Sequence, residues 1–273
     1  MDIIGDSVDD LVLKGIKHIK EHGDYTEARG LSGLQCFNVS YHLTNPLRRV
    51  HTLRAPKSVR YFARELIAYC KGSLNVEELA RAARVWESLA DEDGKIYSNY
   101  GYYTFRQYTP DRITQFEWVS NQLKINPSSR RCVIIIDNIS AKRENSKDIP
   151  CTLGMHFFVE KKKLCAAVSM RSTDIITGLP YDLGFYSFVQ ELLWRDLQNV
   201  HPHIGLGYCI VKSNLTQLYD SRNELATEVQ NGVAGDQCMP DILDAKSVLE
   251  DIYSNTYNSE PMSWLYNKSE YEA

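Results

Sequence analysis

The chain has 273 residues, of which 43% are hydrophobic and 24% charged, with a formal net charge of -4; this is the profile of a soluble globular protein, expected to be a single domain over residues 1–273. The acidic balance gives no electrostatic reason for a nucleic-acid or membrane partner. No apolar run reaches the roughly 18 residues of a membrane span, and the acidic start Met1-Asp2-Ile3-Ile4-Gly5-Asp6 is unlike a signal peptide, so a cytoplasmic protein is expected.

Val8, Leu11, Val12, Ile16 and Ile19 recur at helical spacing after Asp6-Ser7 and predict an amphipathic first helix. Phe37, Val39, Tyr41 and Leu43 alternate with polar neighbours, which predicts a strand with one buried face ending at Asn45-Pro46. A helical region is expected from about Val59 to Ala90. Ile113, Phe116, Ser120 and Leu123 mark another helix, stopped by the turn chemistry of Asn126-Pro127-Ser128-Ser129. The runs Cys132 to Asp137, Gly154 to Val159 and Leu164 to Met170 read as consecutive strands, Leu183 to Leu197 as a largely buried helix, and Gly207 to Lys212 as a further strand. Ser140 to Asp148 is polar throughout and reads as an exposed loop, and the stretch from Ser254 as a loose tail or partly docked lid. Mixed helices and strands without an internal repeat or a linker give an α+β fold class.

The seven cysteines are odd in number and scattered, with no Cys-x-x-Cys pair, which argues against a disulfide framework and against a metal site. One of them stands in a distinctive strip. Ile149-Pro150-Cys151-Thr152 is followed by Met170-Arg171-Ser172-Thr173-Asp174 and Gly178-Leu179-Pro180-Tyr181-Asp182. Before it come Arg64-Glu65-Leu66, Lys71-Gly72-Ser73-Leu74-Asn75, Val85-Trp86-Glu87, Ser98-Asn99-Tyr100-Gly101 and Asn126-Pro127-Ser128-Ser129-Arg130-Arg131. In this order the motifs resemble the thymidylate synthase superfamily from roughly Arg29 to Tyr219, and within it most closely the phage deoxycytidylate hydroxymethylases. The resemblance implies a mixed β-sheet packed against helices, with the sheet forming a homodimer interface. It also implies 5,10-methylenetetrahydrofolate as co-substrate and no metal.

The chemistry needs these residue types. The C5 carbon of a pyrimidine is a poor nucleophile, and addition of a thiolate to C6 creates an enamine that can attack a one-carbon electrophile. Cys151 is the candidate for that step, activated by a positive neighbour such as Arg171; taken alone it would read as one more buried thiol. Asp182 stands where thymidylate synthases carry an Asn. Uracil presents N3-H beside O4, which an amide matches, whereas cytosine presents an N4 amine beside an N3 acceptor. A carboxyl can accept from that amine and, when protonated, donate to N3, which also eases attack at C6. A site built for one pattern can reject the other by roughly four orders of magnitude. Asp182 would equally suit the cap of a helix starting near Leu183. Glu65 matches the family's general acid/base; its apolar neighbours Tyr61, Phe62, Leu66 and Ile67 predict a raised pKa. Tyr100 matches a member of the same water network or, read alone, a core tyrosine.

For substrate binding the resemblance implies Arg29, Arg171 and Ser172 on the phosphate, and Arg130 and Arg131 reaching the partner's active site. As an isolated pair, Arg130 and Arg131 would be ordinary surface residues. Tyr219 matches a sugar-binding tyrosine, and Gln217 replaces the nearby family His. Trp86 and Asp174 match folate contacts, Trp86 also being compatible with helix core.

The one-carbon intermediate can be reduced to methyl or captured by water, and water capture requires an unsealed site. Thr152 in place of a family His, Leu89 in place of a second Trp, and the polar ending Asn267 to Ala273 in place of an apolar one favour water. The expected product is 5-hydroxymethyl-dCMP. Alternatives are CMP hydroxymethylation in nucleoside antibiotic synthesis, dCMP methylation, and an idle nucleotide-binding regulator, against which stands the presence of Cys151, Glu65, Arg171 and Asp182 together.

Overall fold

The computed structural model describes every residue except 29, 138, 140, 141 and 271–273. In chain order the strands are β1 Asp2–Gly5, β2 Asp24–Ala28, β3 Leu31–Leu43, β4 Val133–Ile135, β5 Thr152–Glu160, β6 Lys163–Met170, β7 Thr173–Asp174 and β8 Gly205–Tyr219. The helices are α1 Val8–His22, α2 Lys57–Lys71, α3 Val76–Ala80, α4 Val85–Leu89, α5 Tyr100–Phe105, α6 Gln115–Ile125, α7 Leu179–Gln198, α8 Asn223–Asn231, α9 Ala245–Ser254 and α10 Glu260–Glu270.

The sheet runs β1-β3-β8-β6-β5-β4, with β2 added to β3 and β7 to β8. It is mixed: β1 and β3 are parallel, as are β6 and β8, while β3 and β8, β5 and β6, and β4 and β5 are antiparallel. Helices α1 and α7 cover one face. Helix α1 starts where its cap chemistry dictates, with Ser7 Oγ accepting from the Asp10 amide at 3.1 Å, and it buries Val8, Leu11, Val12, Ile16 and Ile19 as the spacing predicts. Helix α7 is buried over most of its length, matching its nearly unbroken apolar sequence.

Phe37 departs from the expected alternation, being 59% exposed. Asn38 adopts a positive φ of 53°, so the inward side passes from Val39, Tyr41 and Leu43 to Cys36. Opposite this kink, β8 makes the same change, from Cys209, Val211 and Ser213 to Thr216 and Leu218.

The helical region expected over Val59 to Ala90 is three separate helices. Helix α2 ends at Gly72, whose φ is 61°, and Asn75 restarts the chain by accepting from the Glu77 amide at 3.1 Å. Asn99 then ties α5 to the end of α2: its amide donates to the carbonyls of Ala68 at 3.1 Å and Ser73 at 2.7 Å. Gly101 makes that junction possible, because a Cβ there would lie 1.6 Å from the Tyr69 carbonyl oxygen.

The tail, expected to be loose or a partly docked lid, is packed, whereas the polar loop is exposed at Lys142 to Asn145 and at Lys147, as expected, and is buried only at its end. Glu260–Glu270 forms α10, which buries Met262 and Leu265 and lies against α2, with Trp264 edge-on to Phe62 at 6.5 Å. At the end of the polar loop, Asp148 is buried because its carboxylate accepts from the Ser98 amide at 2.7 Å and the Ser98 hydroxyl at 2.6 Å. Asn138, Ser140 and Ala141 lie outside the described residues. The core also contains an ion pair between Arg49 and Glu191, both fully buried; Glu191 accepts in addition from the Ile242 amide at 2.7 Å, which supplies part of the hydrogen bonding that a buried charge requires.

Replacing Gly101 with Ala should force α5 away from α2 and lower unfolding free energy by at least about 2 kcal/mol, read from the midpoint of urea unfolding at constant m-value.

Candidate active site

Cys151 is the residue immediately before β5, at the level where β5 meets the end of β6. The Arg171 amide donates to the Cys151 carbonyl at 2.8 Å. The Arg171 side chain clamps the approach to the thiol: Nε donates to the Pro150 carbonyl at 3.0 Å and a terminal nitrogen to the Ile149 carbonyl at 2.7 Å. Its other terminal nitrogen donates to Ser172 Oγ at 3.2 Å, and that hydroxyl points to Cys151 Sγ at 3.8 Å. Arg171 therefore does stand beside the thiol, as its motif implies. Within the single chain, burial outweighs it: desolvation pushes the Cys151 pKa up, Arg171 opposes the shift and Asp182 adds to it.

Two carboxyls lie on neighbouring helices. Glu65 on α2 is 5% exposed and Asp182 on α7 is 8% exposed. Burial raises Glu65 to about 7, with the Tyr61 hydroxyl opposing the shift; that hydroxyl donates to Glu65 Oε1 at 2.8 Å. Asp182 is driven well above its ordinary range by burial and by the charge of Glu65. Among the described residues, no group donates to the Asp182 carboxyl. Nor does it cap a helix beginning near Leu183. Helix α7 begins at Leu179, after Gly178 and with Pro180 in its first turn, and the Asp182 amide donates to the Gly178 carbonyl at 3.0 Å. Asp182 is inside the first turn, with its side chain free for another partner.

Aromatic rings wall these carboxyls. Tyr61 packs on Tyr181 with centroids 4.4 Å apart, Tyr69 stacks on Tyr100 at 5.3 Å, and Tyr100 stacks on Tyr186 at 6.3 Å. The Tyr186 and Thr152 hydroxyls are hydrogen-bonded at 2.5 Å. Tyr100 is thus in the same enclosure as Asp182 and Cys151, whose charges both help to keep its hydroxyl protonated after burial.

On β8, the Tyr219 hydroxyl donates to Gln217 Oε1 at 2.8 Å. Asp174 pairs with Gln217 across β7 and β8, and its carboxylate accepts from the Ile176 and Thr177 amides at 2.7 and 2.8 Å. A cleft of about 810 Å³ opens at Tyr61 and Tyr181, with Trp86 and Leu89 also on its apolar side and Arg54 and Arg222 among its cations; Glu65, Asp182 and Cys151 are not among its lining residues. Trp86 is half-buried at this wall, so it is not an enclosed core residue. A flat heterocycle carrying an anionic tail fits such a lining. Arg130 and Arg131 are exposed between α6 and β4, and no described contact joins them to Cys151. Arg29 lies outside the described residues. No cluster of three or more His, Cys, Asp or Glu side chains is placed to hold a metal ion among the described residues, and no helix among them is long and apolar enough to cross a membrane.

In the sequence Tyr61 stands out only as an apolar neighbour of Glu65, and Tyr69, Tyr186 and Asp148 carry no assigned role. Tyr61 was detectable, since a residue four before Glu65 on a helix shares its face. Tyr186 and Asp148 carried no local signal.

The family model described as Thymidylate synthase matches residues 12–229. The chain belongs to the thymidylate synthase family. Among curated proteins it is similar to the deoxycytidylate 5-hydroxymethyltransferase of Enterobacteria phage T6, 26% identical over 189 residues, covering 67% of this chain and 74% of that protein. The proteins of the same name from Enterobacteria phages T4 and T2 are each 27% identical over 184 residues, covering 66% of this chain and 72% of the relative. Membership marks the chain as a one-carbon transferase acting on a pyrimidine nucleotide, in a family that uses methylenetetrahydrofolate.

Glu65 gives a test that needs no substrate. Its folded pKa is about 7 against an ordinary 4.5, so its stabilising contribution is full below about pH 4.5 and is lost as pH rises through about 7. Glu65→Gln should match the wild type in urea at about pH 4 and exceed its stability at about pH 8 by on the order of 3 kcal/mol.

Proposed function

We propose that the protein is a dCMP 5-hydroxymethyltransferase, converting dCMP, 5,10-methylenetetrahydrofolate and water to 5-hydroxymethyl-dCMP and tetrahydrofolate. The observation that carries this reading is Asp182: a buried carboxyl whose pKa is driven well up by burial and by the charge of Glu65, with no protein donor satisfying it among the described residues. A protonated acid has one donor and one acceptor to offer. That complements cytosine N3 and N4; the same acid with its proton on the other oxygen would pair with uracil N3-H and O4, so the choice of cytosine rests on the proton being held on the oxygen that faces N3.

Cys151 adds to C6 of the ring, with Arg171 lowering the cost of the thiolate and Ser172 steadying the sulfur. Asp182 donates to N3 as the thiolate adds, so that electron density withdrawn from C6 is held on a neutral ring. Glu65, which titrates close to neutrality, moves protons at C5 and orients water, with Tyr100 beside it. Methylenetetrahydrofolate supplies the one-carbon unit. Trp86 and Tyr181 form the wall against which its ring system packs, and Asp174, whose carboxylate is fixed by two amides, contacts it from the sheet. Gln217 and Tyr219 bind the sugar hydroxyl as a hydrogen-bonded pair.

Arg171, Ser172 and Arg29 hold the phosphate, joined by Arg130 and Arg131 of a second copy. The homodimer is supported by the sheet face that α1 and α7 leave open, where Phe37, Val133 and Ile135 expose apolar side chains. Water capture rather than reduction is favoured by Thr152, whose hydroxyl with that of Tyr186 makes the floor near Cys151 polar, and by Leu89, smaller than the Trp it replaces.

Incubation with methylenetetrahydrofolate and a mixture of dCMP, CMP and dUMP, followed by mass spectrometry, should yield hydroxymethylated dCMP and tetrahydrofolate. Methylated product with dihydrofolate would overturn the water-access argument. Asp182→Asn should move the dCMP to dUMP ratio of kcat/KM towards uracil by at least about 100-fold, and Cys151→Ala should abolish turnover while still binding dCMP.

A further inference from the structure

The two buried carboxyls are not equivalent, and the difference lies in a third residue. Tyr61 and Glu65 are one helical turn apart on α2, and the tyrosine hydroxyl donates to Glu65 Oε1 at 2.8 Å. No described residue donates to the Asp182 carboxyl. A hydrogen bond to a carboxylate stabilises its ionised form, so the donor is placed where it favours charge on Glu65 alone. The ring of Tyr61 packs at a tilt against Tyr181, centroids 4.4 Å apart, the residue that precedes Asp182, and it also lines the cleft. Tyr61 therefore contacts Glu65, the Tyr181-Asp182 turn and the cleft at once.

We propose that Tyr61 is a positioning residue that decides which of the two carboxyls holds the proton, making Glu65 the group that ionises and Asp182 the one that remains an acid. This deepens the dCMP reading, since it rests on the roles given above to Glu65 and Asp182. One proton shared between two buried carboxyls has two placements, and only the one with the proton on Asp182 can donate to cytosine N3 while Glu65 accepts. The titratable groups facing the pair are Tyr61 and Tyr69 from α2, Tyr181 and Tyr186 from α7, Tyr100 of α5 stacked on Tyr69, and the Cys151 thiol before β5, which faces Asp182. They are phenols and one thiol, and burial raises the pKa of each; among the described residues no cation acts on either carboxyl. Ionising one carboxyl opposes ionising the other.

The test is a titration of the free protein carrying carbon-13 in its carboxyl groups, followed by infrared or NMR spectroscopy, with Glu65→Gln and Asp182→Asn assigning the two signals. In the wild type Glu65 should ionise at lower pH than Asp182. Tyr61→Phe, which keeps the ring and its packing on Tyr181, should raise the Glu65 midpoint by about one pH unit, and the acid limb of the kcat profile should move with it. Tyr61→Leu should raise the midpoint similarly, separating the hydroxyl from the ring. An unmoved Glu65 midpoint in both variants, or Asp182 ionising first in the wild type, would overturn the proposal. The titration uses neither nucleotide nor folate, so a wild type inactive on dCMP would refute the substrate reading and leave the carboxyl assignment standing.

Discussion

Everything at this site depends on two carboxyl groups held out of water within electrostatic reach of each other. Glu65 and Asp182 sit on α2 and α7, and burial of each raises the cost of its negative charge. The fold brings them together through a close helix contact. At Gly184, two residues after Asp182, a Cβ would lie 2.4 Å from the Phe62 ring, so the missing side chain lets α2 and α7 approach. Were that contact looser, water would enter between the helices and both carboxyls would return towards ordinary acidity.

Burying acids is destabilising in isolation, and the surrounding structure compensates by rigidity. Helix α7 is anchored by the enclosed Arg49–Glu191 pair, which also captures the Ile242 amide. Helix α2 is held between α7 and α10 and is tied at its end to α5 by Asn99. The nucleophile is treated in the same way. Arg171 donates to the carbonyls on both sides of the Ile149-Pro150 bond, so the thiol approaches the site on a fixed strand end rather than a flexible loop. Pre-positioning of this kind is how a scaffold supplies part of a reaction barrier in advance.

Much of this was legible in the sequence because it rests on local pattern. The first helix follows from apolar spacing and a serine cap, the strands β5, β6 and β8 from their apolar runs, and the site strip from residue types whose chemistry is specific. What was not legible depends on contacts between distant parts of the chain. Phe37 faces out because Asn38 and the opposite strand kink together. The tail becomes α10 because α2 offers it an apolar surface, which the polar composition after Ser254 does not announce. Asp148 is buried because Ser98, fifty residues earlier, supplies two donors. Asp182 was legible as a candidate reader of the base, whereas its local environment was not: it also resembles a helix cap until α7 is seen to start four residues before Leu183.

The central claim is that Asp182 reads cytosine as a neutral acid. The direct measurement is the nitrogen-15 chemical shift of dCMP labelled at N3, bound to the Cys151→Ala protein. The account predicts that N3 moves strongly to the shielded side on binding, as a nitrogen does when it receives a proton or a strong hydrogen bond, and that Asp182→Asn removes the change. A bound N3 with the shift of free dCMP would contradict it.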